Sequence, residues 1–135
     1  MLRNRFQIYL HIHSRKTLSD IFEILPSYKV PGILLHWFDG NKSQLQTAMD
    51  NQYFVSYGPL LVYANDKQTL LAKSTAEQIL VETDGPVKFS HCFNYKTTQI
   101  QFLHSVVYCA SKILKTSYDS FLKQLEKNSQ KFLNH

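Results

Sequence analysis

Glycine and proline are scarce, 4 of each in 135 residues, which excludes the collagen-like and low-complexity classes built on them. Cysteine is scarcer: Cys92 and Cys109 stand apart with no metal-knuckle spacing, so no disulfide framework is expected, and small, buried thiols in a reducing cytosol fit the pair. No uninterrupted apolar run approaches the ~20 residues that span a bilayer, and the start Met1-Leu2-Arg3-Asn4-Arg5-Phe6 lacks the apolar stretch of a signal peptide. The expectation is a soluble, cytoplasmic protein with no membrane partner. Acidic residues are outnumbered, 10 against 15 Lys and Arg, for a formal net charge of +5. That excess permits a polyanionic partner. Yet Arg3, Arg5, Lys42, Lys73, Lys96 and Lys123 are dispersed along the chain, the pattern of a solvated surface rather than of a nucleic-acid patch.

What the chain does have is apolar content, 44% of residues, enough for a real core, and no linker divides it, so residues 1–135 are expected to form a single domain. Strand-like runs and helical periodicities alternate along it. Ile8 to Ile12 reads as a strand, and Thr17 to Leu25 as a helix carrying Leu18, Ile21, Phe22 and Leu25 on one stripe and stopped by Pro26. Gly32 to Leu35, Tyr53 to Tyr57 and Gln78 to Val81 read as further strands, and Ser43 to Asp50 and Asp66 to Lys73 as the helices between them. Gly85 to Lys96 has no period and is expected to be a loop over the rim. Helices from Thr97 to Lys115, with Ile100, Leu103, Val107, Ala110 and Leu114 inward, and from Tyr118 to Phe132 close the chain. This alternation predicts an α/β fold of parallel βα units.

Parallel βα units gather the carboxyl ends of their strands on one face. His13, His36 and Asp84 all fall there, and imidazole plus carboxylate is the donor set of a divalent cation such as Mg²⁺, Mn²⁺ or Zn²⁺. Taken singly, each histidine reads as a hydrogen-bonded structural residue and Asp84 as a turn former before Gly85-Pro86; their recurrence at successive strand ends favours a metal site. His11, two residues before His13, shares its face of the strand and is expected one layer deeper, as a supporting or core histidine. Glu82 either faces the site or pairs with a base such as His13 or Arg15. Arg15 is placed to hold a phosphate or merely to project from its loop. Trp37 lines a pocket or packs between strand and helix, and Asp39-Gly40 is expected to turn the chain and cap the next helix. His91 and Cys92 in the rim loop, His104 and His135 attract no functional assignment beyond a surface role.

His13-Ser14-Arg15, Leu35-His36-Trp37-Phe38-Asp39-Gly40, Phe54-Val55-Ser56-Tyr57-Gly58, Ile79-Leu80-Val81-Glu82-Thr83-Asp84-Gly85-Pro86 and Asn128-Ser129-Gln130-Lys131-Phe132 resemble, in that order, the carboxyl-terminal part of the TatD family of metal-dependent deoxyribonucleases. The resemblance implies a (β/α)8 barrel of the amidohydrolase type that hydrolyses DNA phosphodiester bonds with a divalent metal. It implies metal ligands at His13, His36 and Asp84, with Asp84 also orienting the attacking water, and its His-x-Arg spacing favours His13 over His11.

A complete barrel of this kind takes about 250 residues, so the chain is expected to supply the second half of one, about four βα units. The family's Asp-x-His-x-His and strand-four glutamate have no counterpart before Phe6. A half barrel leaves open sheet edges and an exposed inner face, which implies a complementary half-barrel chain or self-association. The leading expectation is a phosphodiester hydrolase incomplete as an isolated chain; the alternatives are a truncated, catalytically inactive homologue acting as a subunit, and simple nucleic-acid binding.

Overall fold

The computed structural model describes residues 9–133; Ile8, the residues before it and His135 lie outside that range. Four strands, β1 (Tyr9–His13), β2 (Gly32–His36), β3 (Phe54–Tyr57) and β4 (Ile79–Val81), form one sheet in the order β1-β2-β3-β4. Every neighbouring pair is parallel, with Tyr9 opposite Gly32, Leu34 opposite Phe54 and Val55 opposite Ile79. The helices α1 (Leu18–Ile24), α2 (Lys42–Asp50) and α3 (Asn65–Leu71) make the crossovers, and α4 (Phe102–Ile113) and α5 (Tyr118–Leu133) follow. The predicted alternation is therefore the observed one, and Pro26 ends α1 in a short 3-10 turn, Leu25–Ser27.

The two-residue period of the strands sorts their side chains into two layers. Ile33, Leu35, Val55, Tyr57 and Ile79 face the helices and join Leu18, Leu45, Leu71, Val106, Ala110 and Phe121 in the main core. Leu34, Phe54 and Leu80 face the other way, where Phe132 of α5 covers them. What brings Phe132 there is Asn128, whose buried amide donates to the carbonyls of Ala76 at 2.8 Å and Ile79 at 2.7 Å and so ties α5 to the start of β4. Gly32 permits the approach, because a Cβ there would lie 3.2 Å from the Phe132 carbonyl oxygen and 2.9 Å from the Tyr9 ring. The foot of the inner face is thus closed, while its upper part stays open.

Three expectations change. The N-cap of α2 is Asn41, which exchanges hydrogen bonds with Gln44 in a capping box; Asp39 instead takes the ammonium of the buried Lys67 at 2.5 Å. Helix α4 starts at Phe102 rather than Thr97, because Thr97 pairs with Lys88 in an antiparallel bridge and Thr98 bonds back to the Val87 carbonyl. Ile100 consequently lies outside the helix and is exposed. Nor is 85–96 featureless. Phe89 and Phe93 are buried, and Asn94 takes the left-handed conformation after a 3-10 turn, His91–Phe93.

Candidate functional site

All four strands end at one rim, and an open cleft of about 750 Å³ lies along the inner face below it, lined by His11, His13, His36, Ser56, Glu82 and Asp84, with Leu34, Leu80 and Phe132 deeper. The register explains the gathering. His13 pairs with His36 and His11 with Leu34 across β1 and β2, so all three imidazoles share a face, and Glu82 follows β4, its N–H held by the Tyr57 carbonyl.

His36 is the hub. Its Nδ1 lies 2.6 Å from Glu82 Oε2 and its Nε2 lies 3.0 Å from Asp84 Oδ1. Both contacts are substantially withdrawn from water, the side chains of His36, Glu82 and Asp84 being 11%, 13% and 25% exposed. A carboxylate accepts only, so the shorter and more buried contact assigns a proton to Nδ1 and turns the Nε2 lone pair toward Asp84. In that tautomer Nε2 and Asp84 Oδ1 would face each other at 3.0 Å as two electron-pair donors, an opposition that a proton or a cation between them relieves. The other oxygen of Glu82, Oε1, is buried with no hydrogen-bond partner among the described residues.

The remaining predicted residues fall around this hub. His11 meets His36 edge-on, ring centroids 4.7 Å apart, and His13 lies tilted at 5.3 Å. Both are exposed on the open inner face. Glu82 pairs with His36 rather than with His13 or Arg15, since β2 stands nearer β4 in the sheet than β1 does. Arg15 is exposed beyond the end of β1. Trp37 stacks on Phe89 of the rim loop, 5.6 Å away and 19° from parallel, so it packs between strand end and loop instead of between strand and helix. His91 stacks on Tyr63. Cys92 is exposed rather than buried, and Cys109 is half-buried; both are free thiols. Burial, and then the nearby Cys92, raise the Cys109 thiol above its ordinary range.

Among the described residues, no group of three His, Cys, Asp or Glu side chains is drawn together tightly enough to hold a metal ion. His36 Nε2 and Asp84 Oδ1 nonetheless fit a divalent cation as two of its ligands, by donor type and by their mutual approach. A residue that carried no assignment in the sequence belongs here as well. Ser56, 1% exposed, donates its hydroxyl to Glu82 Oε2 and accepts the Trp37 N–H at 3.1 Å. Its signal was a polar side chain at the inward position two residues after Phe54, in an otherwise apolar and aromatic strand.

Residues 2–134 match the family described as TatD related DNase. The chain belongs to the TatD family. An uncharacterized metal-dependent hydrolase of Haemophilus influenzae is 31% identical to it over 88 residues, covering 63% of this chain and 34% of that protein. Among solved structures, a TatD homologue from Escherichia coli superposes with a TM-score of 0.82 at 21% identity, over 91% of this chain and 49% of its own. A TatD family hydrolase from Entamoeba histolytica gives 0.73 at 15% identity, over 89% and 48%. An uncharacterized amidohydrolase from Saccharomyces cerevisiae gives 0.74 at 14%, over 93% and 54%. This TatD chain therefore spans about half the length of those solved relatives, and its parallel βα units are those of a TIM-barrel-like fold. No helix among the described residues is long and apolar enough to cross a membrane.

Proposed function

We propose that this chain is the carboxyl-terminal half of a metal-dependent phosphodiester hydrolase with DNA as its substrate class. The observation that carries the reading is the opposition of His36 Nε2 and Asp84 Oδ1 at 3.0 Å while Nδ1 is engaged by Glu82, the arrangement of a carboxylate-oriented ligating histidine. The names of the family and of the Haemophilus relative support hydrolysis and metal dependence. His36 and Asp84 would hold the divalent cation, with His13 turning in from the neighbouring strand as a third donor. When bound, such a cation acidifies water and polarises a phosphoryl oxygen. Asp84 then orients the attacking water and takes its proton, Glu82 keeps Nε2 of His36 turned to the cleft, and Arg15 stands where a phosphate can approach. His11 stays a neighbour of His36 and not a ligand. The remaining ligands and the cover for the inner face would come from a complementary half-barrel pairing with the outer edges of β1 and β4.

Calorimetric titration with Zn²⁺ or Mn²⁺, run beside a DNA cleavage assay and the native mass in solution, tests the reading. Stoichiometric binding abolished by His36→Ala, and cleavage abolished by Asp84→Asn, are expected. Metal-dependent cleavage that survives Asp84→Asn removes Asp84 from the mechanism. One observation favours a second reading, a catalytically inactive homologue serving as a subunit: the described residues assemble no three-donor cluster. Absence of metal binding by a particle that nonetheless associates would support it.

A further inference from the structure

Ser56 lines the cleft without a hydrogen bond to Asp84, and its hydroxyl sits where three strand ends meet. It accepts the N–H of Trp37, the first residue past β2, at 3.1 Å, and the Ser56 carbonyl takes the Phe38 N–H at 3.2 Å. Trp37 adopts a positive φ of 48°, uncommon for a bulky residue, and that turn directs its N–H to Ser56. The Ser56 hydroxyl in turn donates to Glu82 Oε2, the same oxygen that faces His36 Nδ1. Glu82 Oε1 is buried without a partner among the described residues, so the carboxylate is held through Oε2 alone, and a Cβ at position 58 would stand 3.4 Å from the Glu82 methylene, a space that Gly58 leaves open.

We propose that Ser56 is a positioning residue for His36: by fixing the rotation of the Glu82 carboxylate it selects the His36 tautomer with the proton on Nδ1 and leaves Nε2 free to bind. The physical reason is competition between carboxylates. His36 lies between Glu82 and Asp84, and either could claim its proton. The Ser56 hydroxyl holds Oε2 in line with Nδ1; without it, Glu82 rotates about its last torsion, the contact lengthens, and Asp84 takes the proton at Nε2, where it blocks a ligand. The consequence for metal affinity rests on the functional reading above; the tautomer does not.

The test is ¹⁵N NMR of the imidazole nitrogens in the metal-free chain at a single pH of about 8.5, two units above the ordinary imidazole value, read for Ser56→Ala and Ser56→Thr with zinc calorimetry in parallel. The parent chain and Ser56→Thr are expected to show His36 protonated at Nδ1. Ser56→Ala is expected to show a mixture or the Nε2–H form, and a zinc affinity about tenfold weaker. A purely structural role for Ser56 would lower stability and leave the tautomer unmoved. Should Ser56→Ala fail to fold, Ser56→Thr against the isosteric Ser56→Val makes the same comparison. An unchanged His36 tautomer in the folded variant lacking the hydroxyl overturns the proposal. If no variant and no parent chain binds zinc, the functional reading fails while the tautomer comparison still decides Ser56.

Discussion

Nδ1 of His36 and Oε2 of Glu82 stand 2.6 Å apart although the residues are 46 positions apart in the chain. With Nδ1 engaged by Glu82, it is Nε2 of the hub histidine that is turned toward Asp84, at 3.0 Å.

Replacing Glu82 with glutamine keeps the shape and removes the charge. The amide still accepts a hydrogen bond, but a neutral acceptor competes poorly with Asp84 for the imidazole proton. Zinc affinity measured by calorimetry should fall between about tenfold and a hundredfold, with little change in melting temperature. An unchanged affinity would show that Glu82 does not orient His36.

Lys67 is 6% exposed, and its ammonium donates to the Phe38 carbonyl at 3.0 Å and to Asp39 at 2.5 Å. Asp39 is 61% exposed, so water can take over its carboxylate if Lys67 is removed. Lys67→Met should therefore cost only about 1–3 kcal/mol, chiefly for the unpaired Phe38 carbonyl. Asp39→Ala strands a buried ammonium and should cost at least as much. Urea unfolding of the two variants checks the order; the reverse order would count against this account of the pair.

Tyr57 is buried in the main core, its hydroxyl 2.8 Å from that of Ser74. Burial raises the phenol well above its ordinary 10.0, against the smaller lowering from Ser74. A raised folded value means that the folded state holds the proton more tightly than the unfolded state does. The corresponding stability is fully present below pH 10 and declines as pH rises from there toward the folded value. Denaturant melts between about pH 8 and 11 should show this alkaline loss in the parent chain and a flatter profile in Tyr57→Phe.

Phe121 of α5 is 2% exposed in the main core, whereas Phe132 of the same helix covers the inner-face cluster of Leu34, Phe54 and Leu80. Phe121→Ala should cost about 3–5 kcal/mol by the cavity it leaves. Phe132→Ala should cost less, because its surroundings adjoin the open cleft and water can fill the gap. Chemical denaturation of both variants measures the difference, and equal losses would mean that the inner face is packed as tightly as the core.

The parallel βα order, the inward stripes of α1 and α2 and the placing of His13, His36 and Asp84 at successive strand ends were legible in the sequence. Each rests on a local regularity: the two-residue period of strands, the 3.6-residue period of helices, and the rule that parallel strands end on the same side. The pairings were not legible. Local sequence offers Glu82 the site or a base such as His13 or Arg15, whereas the sheet order pairs it with His36, and Asp39, which reads locally as a helix cap, takes Lys67 from 28 residues on. The start of α4 was misread because helical periodicity runs through Thr97 and Ile100, while the competing bridge to Lys88 is a contact between distant residues.

By itself, then, the sequence determined a TatD-family run of parallel βα units and the residue types at their rim, because composition and period are properties of neighbours along the chain. Only the tertiary structure decided that His36 is held between two carboxylates, that His11 is exposed, and that Ser56 braces Glu82. Those outcomes depend on distances between strand ends, set by which strand lies beside which and in what register, and on what covers the inner face.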